Sequence, residues 1–251
     1  MVTIHNEWID FKKVADSGQC FTFDGEKAYY KDLSVRVYRL DNNLIQLDCS
    51  QDEYEKVWKN YFDLDDTNYY FKFYKLAKDS KYEYIRNAVE FSKGMVILRQ
   101  EPFETLISFV ISQRNSIPKI KSTVSKIKQL TTGNNRFPTA KEIVDNKDKL
   151  ANAGLGYRYD YVINISTLLN QAGMGIVNSY DKALRLYGVG PKVASCYSLY
   201  GLHIMDMFPI DVWIQRILDR EFNSGLEFLK EFKGYEGILQ QCMFYYERNR
   251  R

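Results

Sequence analysis

The sequence predicts a mainly α-helical protein that carries a small antiparallel β unit at its N-terminus. Within the first fifty residues, short apolar and β-branched stretches sit between turn-formers. From about residue 52 onward, apolar residues recur at three- and four-residue steps. The composition, 45% hydrophobic and 27% charged over 251 residues, suits a globular chain and excludes a disordered one.

The strand candidates are residues 28–33 (AYYKDL), 34–40 (SVRVYRL) and 43–49 (NLIQLDC), with turns expected at Asp24-Gly25 and Asp41-Asn42-Asn43. Helical spacing follows in residues 54–62 (YEKVWKNYF), 82–91 (YEYIRNAVEF) and 103–113 (FETLISFVISQ). Residues 131–139 (TTGNNRFPT) form the clearest loop. Two units are expected, a sheet domain over 1–72 and a helical domain over 73–251, without a long linker. The C-terminal helix is expected to pack back near the first unit.

A net charge of +3 permits an anionic partner without demanding one. No apolar run reaches the roughly 18–20 residues that span a bilayer, and the N-terminus is charged where a signal peptide needs an apolar stretch. An intracellular protein is therefore expected, cytoplasmic in a bacterium or nuclear in a eukaryote. No membrane partner is expected, and the chain should be a monomer. Cys20, Cys49, Cys196 and Cys242 lie far apart, so neither a zinc site nor a disulfide framework is indicated. His5 and His203 are the sole histidines, too few to build a His-based metal site or a Ser-His-Asp triad readily. The 20 Tyr, 15 Phe and 3 Trp read as core and surface filling in preference to base stacking, which needs aromatics at particular places.

Chemistry concentrates in residues 179–218. A short amphipathic helix (SYDKALRLY) runs into Gly188-Val189-Gly190, and Pro191 is well suited to the first turn of the next helix. Two glycines around one apolar residue allow a tight hairpin with exposed amides, and amides at a helix start bind phosphate. An ordinary helix–helix connection fits the same three residues equally well. Lys192 lies in that first turn, where the helix dipole disfavours a cation. A neutral amine is a nucleophile able to form a Schiff base, whereas a solvated surface lysine is the plain alternative. Cys196, four residues on, shares its helix face and is compatible with a core thiol. Asp211 precedes the apolar helix VWIQRIL and suits an N-cap. Its carboxylate could also stabilise positive charge on a sugar, if one helix and a return loop bring it to Lys192.

The run GVGPKVASC (188–196) followed by FPIDVW (208–213) resembles the helix-hairpin-helix DNA glycosylase superfamily. Residues 16–23 (DSGQCFTF), 101–120 (EPFETLISFVISQRNSIPKI), 153–161 (AGLGYRYDY) and 237–246 (GILQQCMFYY) narrow the resemblance to the 8-oxoguanine DNA glycosylases. The resemblance implies a bifunctional glycosylase and abasic-site lyase acting on double-stranded DNA with oxidised guanine opposite cytosine. An alkylated-purine glycosylase of the same superfamily and a non-catalytic hairpin DNA-binding protein are the rival readings. Lys192 would attack C1′ of a flipped nucleotide and Asp211 would stabilise the cationic sugar. The Gly18 carbonyl would read the lesion, Phe244 and Cys196 would sandwich the base, and Gln240 would meet its Watson–Crick edge. Without the family context, Gly18 is a turn glycine and Phe244 a helix-core residue. Tyr157 and Arg158 match the wedge and the reader of the estranged cytosine, though a solvent-exposed Tyr-Arg turn fits as well. Asn115 would fill the gap, and Gly188 and Gly190 would grip backbone phosphate. No cofactor and no catalytic metal are implied, beyond an optional structural ion on the carbonyls of Leu184, Leu186 and Val189.

Three residues depart from the family pattern. Arg114-Asn115 stands where the family has Asn-Asn, Ser195 replaces an Asp, and Trp213 occupies a position that is His in the eukaryotic branch and commonly Trp in the bacterial one. The iron–sulfur branch needs four closely spaced cysteines near the C-terminus, where this chain has Cys242 alone.

Overall fold

The structure is a computed structural model describing residues 1–251 except 7, 41–43, 66, 134–135 and 251. The expected Asp41-Asn42-Asn43 turn and the Asn134-Asn135 part of the expected loop lie outside the described residues. Four antiparallel strands, β1 (Val2–His5), β2 (Lys27–Tyr30), β3 (Leu33–Arg39) and β4 (Leu44–Leu47), pair in the order β1-β4-β3-β2. Val37 and Val2 both oppose Leu47, and Ala28 opposes Val35, so all of these small and branched side chains bury on one face. β2, β3 and β4 match the sequence expectation. β1 was not foreseen, because four residues carry too little periodicity and their partner lies some forty positions away.

Aromatic residues fill the space behind this sheet. Trp58, Tyr61 and Phe62 are almost wholly inaccessible to solvent. Phe11 meets Phe62 edge to face at 4.9 Å, and Tyr61 meets Phe62 at 5.0 Å. Full burial of such a ring contributes about 1.5–3 kcal/mol, with ~0.5–1.5 kcal/mol more from edge-to-face geometry. Much of the aromatic content is thus core. The helical spacing over residues 54–62 resolves into a π-helical turn, Tyr54–Trp58, running into the short α turn Lys59–Tyr61.

Gln19 joins the N-terminal segment to the rest of the fold. Its side chain is fully buried, yet Nε2 donates to Val96 O at 2.9 Å and Oε1 accepts from Leu98 N at 2.8 Å. Its own carbonyl accepts from Gln100 Nε2 at 2.7 Å. Each buried amide group is matched, which avoids a penalty of about 1–3 kcal/mol per orphaned group. These bonds fix the backbone immediately after Gly18.

The central helix is Pro102–Ser112, capped by the Glu101 side chain on Glu104 N at 2.7 Å and buried from Phe103 to Ile111. Helices Pro191–Tyr200 and Arg158–Ala172 pack against it. Two expectations shift here. Thr131 and Thr132 belong to helix Ile117–Thr132, which ends at left-handed Gly133 (φ 64°), so the expected loop starts two residues later. The helix expected through SYDKALRLY stops at Leu184, because the chain must turn early to reach the glycine hairpin.

Candidate active site

Helix Pro191–Tyr200 starts at Gly190, in extended conformation (φ −97°, ψ 177°), and Gly188 before it has φ +81°. Gly188 also lies under the Tyr161 ring, where a Cβ would come within 2.2 Å of the ring. Both its torsion and its contact therefore require glycine. Its carbonyl accepts from Gln113 Nε2 at 3.0 Å. Of the carbonyls suggested for an ion, that of Leu186 accepts from Val189 N at 3.1 Å.

Lys192, half-buried in the first turn, sends its amine back onto the central helix. Nζ donates to Ser112 Oγ at 3.2 Å and stands 4.9 Å from the centre of the Phe109 ring. Ser112 Oγ in turn donates to Phe109 O at 2.7 Å, leaving its lone pairs for the lysine. Asp211 caps helix Val212–Glu221, and Oδ1 accepts from both Trp213 N and Ile214 N at 2.9 Å. Both cap bonds fall on one oxygen, so the other is not spent on the cap. Lys192 and Asp211 line the same cavity of about 830 Å³, together with Gly18, Trp213, Phe244 and Arg248. Another cavity, of about 680 Å³, borders the N-terminal sheet and contains neither residue.

Behind the larger cavity lies a recess of about 40 Å³ bounded by Gly18, Cys196, Gln240 and Phe244. It has room for a few waters and not for a purine. Gly18 (φ +80°) lies within van der Waals reach of Phe244, and an added Cβ would fall 3.5 Å from that ring and 2.7 Å from Ile117 Cδ1. Burial pushes the Cys196 thiol up, so it stays a neutral, polarisable contact beside Lys192. Gln240 Nε2 donates to Pro209 O at 3.1 Å, while the single Tyr200 hydroxyl proton goes to Gln241 Oε1 at 2.5 Å, with Gln240 Oε1 3.2 Å away. The Nε2 bond orients the amide and still leaves one N–H and a lone pair free.

The chain is also similar to known DNA glycosylases. Residues 1–106 match the family of 8-oxoguanine DNA glycosylase N-terminal domains. MBOgg1 in complex with a low-affinity DNA ligand superposes with a TM-score of 0.87 at 28% identity, over 99% of this chain and 95% of that one. Residues 1–106 thus resemble the 8-oxoguanine DNA glycosylase N-terminal domains, and the whole chain shares the fold of MBOgg1. Among curated relatives, the N-glycosylase/DNA lyase of Saccharomyces cerevisiae is 33% identical over 172 residues, 56% of this chain and 46% of the yeast protein. The probable N-glycosylase/DNA lyase of Methanothermobacter thermautotrophicus is 27% identical over 79% of this chain and 75% of its own length. The match thus spans about half of the yeast protein and three-quarters of the archaeal one.

Within this glycosylase-family fold, the residues singled out from sequence divide into two groups. Lys192, Asp211, Gly18, Cys196, Gln240, Phe244 and Trp213 gather around the connected cavities. Arg114 and Asn115 line the rim, Arg114 exposed at φ +50° and Asn115 tied by Nδ2 to Ile111 O at 2.9 Å. Tyr157 is half-exposed on the outside. Arg158 differs from expectation, because it is buried and does not point outward. Its Nε donates to Gln113 O at 2.7 Å, a second guanidinium nitrogen donates to the same carbonyl, and NH1 donates to Leu155 O at 3.2 Å. A guanidinium with apolar neighbours satisfies its donors on whatever carbonyls are near, and here they belong to its own chain.

Sequence reasoning passed over Phe109, Ser112, Tyr200 and Arg248. Phe109 and Ser112 sit three apart on a helix that reads simply as hydrophobic, and nothing local announces that Lys192 rests on them. Arg248 does carry a signal, since it follows Gln240 and Phe244 at four-residue steps.

Proposed function

We propose that this chain is a bifunctional 8-oxoguanine DNA glycosylase and abasic-site lyase. The observation that carries this reading is the shared cavity of Lys192 and Asp211, with the Gly18–Phe244 recess opening beside it. The target nucleotide must leave the duplex, since C1′ cannot be reached in the stack.

The Lys192 amine forms a bond to C1′ while the C1′–N9 bond breaks and its electron pair departs with the base. The Asp211 carboxylate offsets positive charge on the sugar as this happens. Proton loss from nitrogen and opening of the ring give an imine. Removal of a C2′ proton then expels the 3′ phosphate oxygen, and water releases the lysine. Ser112 Oγ and the Phe109 ring orient the amine before attack. In the resting recess a purine finds no room, so Phe244 swings aside and restacks on the base, with Cys196 on the opposite face. A hydrogen on N7 of the oxidised base would donate to the Gly18 carbonyl, whereas the N7 lone pair of guanine would be repelled. Gln240 would contribute its remaining N–H and lone pair to the Watson–Crick edge.

Double-stranded DNA is the proposed partner. Hairpin amides around Gly188 and Gly190 would hold backbone phosphate. Tyr157 would wedge beside the extruded nucleotide, with Arg114 and Asn115 at the gap. Reading an estranged cytosine with Arg158 requires the guanidinium to leave Gln113 O and Leu155 O.

Borohydride should trap a covalent adduct between the protein and an 8-oxoguanine:cytosine duplex, and Lys192→Gln should remove it. Adduct persisting in that variant would displace Lys192 as the nucleophile. Excision of alkylated purines ahead of oxidised ones would favour the alkylation branch, and duplex binding without release of any base would reduce the protein to a binding module.

A further inference from the structure

Gln240, Phe244 and Arg248 lie at four-residue steps on helix Glu236–Asn249 and therefore share a face. The Arg248 guanidinium carbon stands 5.2 Å from the centre of the Phe244 ring. NH1 donates to Asp16 O at 3.3 Å. Two turns earlier, Gln241 Nε2 donates to Ser17 O at 2.9 Å. The same helix thus holds two consecutive carbonyls that lead directly to Gly18. Arg248 also lines the cavity that contains Lys192 and Asp211.

We propose that Arg248 is a positioning residue for lesion recognition, setting the Phe244 ring and the Gly18 carbonyl at a fixed spacing. The inference rests on the assignment of Phe244 and Gly18 as base contacts made above. A planar guanidinium can stack on a ring and donate in its own plane at the same time, which a point-charge ammonium does less well. A cation on one face draws π-density toward it, leaving the opposite face better matched to an electron-rich oxidised purine. Burial presses the Arg248 guanidinium below its usual value, and a partly desolvated cation interacts more strongly with an aromatic face. The sugar chemistry at Lys192 makes no demand on this arginine.

The test compares Arg248→Met, Arg248→Lys and Phe244→Leu, alone and combined, with enzyme in excess over an 8-oxoguanine:cytosine duplex. Arg248→Met should slow base excision about tenfold, the rate equivalent of ~1.4 kcal/mol. Arg248→Lys should recover roughly half of that loss on a logarithmic scale. Borohydride trapping on a duplex with a preformed abasic site, where no base is read, should fall less than about threefold. In the Phe244→Leu background, Arg248→Met should cost under about twofold, because the partner ring is gone. Equal losses of excision and abasic-site trapping would overturn the proposal, as would full additivity with Phe244→Leu. A wild-type protein that traps on abasic DNA but releases no 8-oxoguanine would instead overturn the lesion assignment on which the proposal stands.

Discussion

Replacing Glu104 by Gln should make the protein more stable above neutral pH and less dependent on pH. Glu104 lies on the central helix, 7% exposed, and Thr22 Oγ1 donates to its Oε1 at 2.5 Å. Burial, the largest influence, lifts its carboxyl from an ordinary value of 4.5 to about 7, with neighbouring Glu101 adding to the rise. The Thr22 hydroxyl and Lys128 pull the other way. Below pH 4.5 the group is protonated folded and unfolded, and it contributes no pH dependence. Between 4.5 and 7 the unfolded chain gives up this proton while the folded chain keeps it, so stability falls as pH rises. Above about 7 both forms are ionised and the loss is complete. At ~1.4 kcal/mol per pH unit over the span from 4.5 to about 7, the full loss is about 3.5 kcal/mol. Urea unfolding of wild type and Glu104→Gln at several values between pH 5 and pH 8.5 measures it. The stability of the Gln variant relative to wild type should climb across that range by about 2.5 kcal/mol, the rest of the loss having occurred below pH 5, and then level off. A difference that stays flat with pH would refute the account of this buried acid.

Two further substitutions probe the loops proposed to face DNA. Arg114 holds φ +50°, a conformation that Asn adopts more readily, so Arg114→Asn should raise stability by about 0.5–1 kcal/mol in thermal or urea unfolding. A destabilised variant would show that the arginine side chain compensates for its backbone. Gly188→Ala must keep φ +81° and push its methyl into the Tyr161 ring, so duplex affinity by fluorescence anisotropy should drop at least about fivefold. Adding Tyr161→Ala should recover part of the loss, and unaltered binding by the single variant would remove the hairpin from the interface.

What the sequence makes legible is local. Strands β2 to β4 and the hairpin helix Pro191–Tyr200 follow from spacing, turn residues and a well-placed proline. The cap at Asp211 could be read the same way, because an N-cap needs only its own next three residues. Contacts across long separations could not be read from composition or period. Gly18 meets Phe244, and Gln241 reaches Ser17, because the C-terminal helix lies beside the turn that follows helix Phe11–Asp16. The family resemblance named Gly18 and Phe244 for that reason, where periodicity alone leaves them a turn glycine and a core ring. Arg158 shows the converse. Its motif is plain in sequence, yet the direction of its side chain is decided by the Gln113 and Leu155 carbonyls beside it.

Gln113 takes part in three attachments at once. Its carbonyl receives Arg158 and, more loosely at 3.4 Å, the Tyr157 hydroxyl, while its side-chain amide holds Gly188. The loop at Arg114-Asn115, the Tyr157-Arg158 turn and the Gly188 hairpin are therefore moored to a single amino acid. Under the proposed reading, drawing Arg158 off toward an orphaned pyrimidine would slacken that mooring, and the hairpin proposed to hold the flanking strand would sense which base stands opposite the lesion.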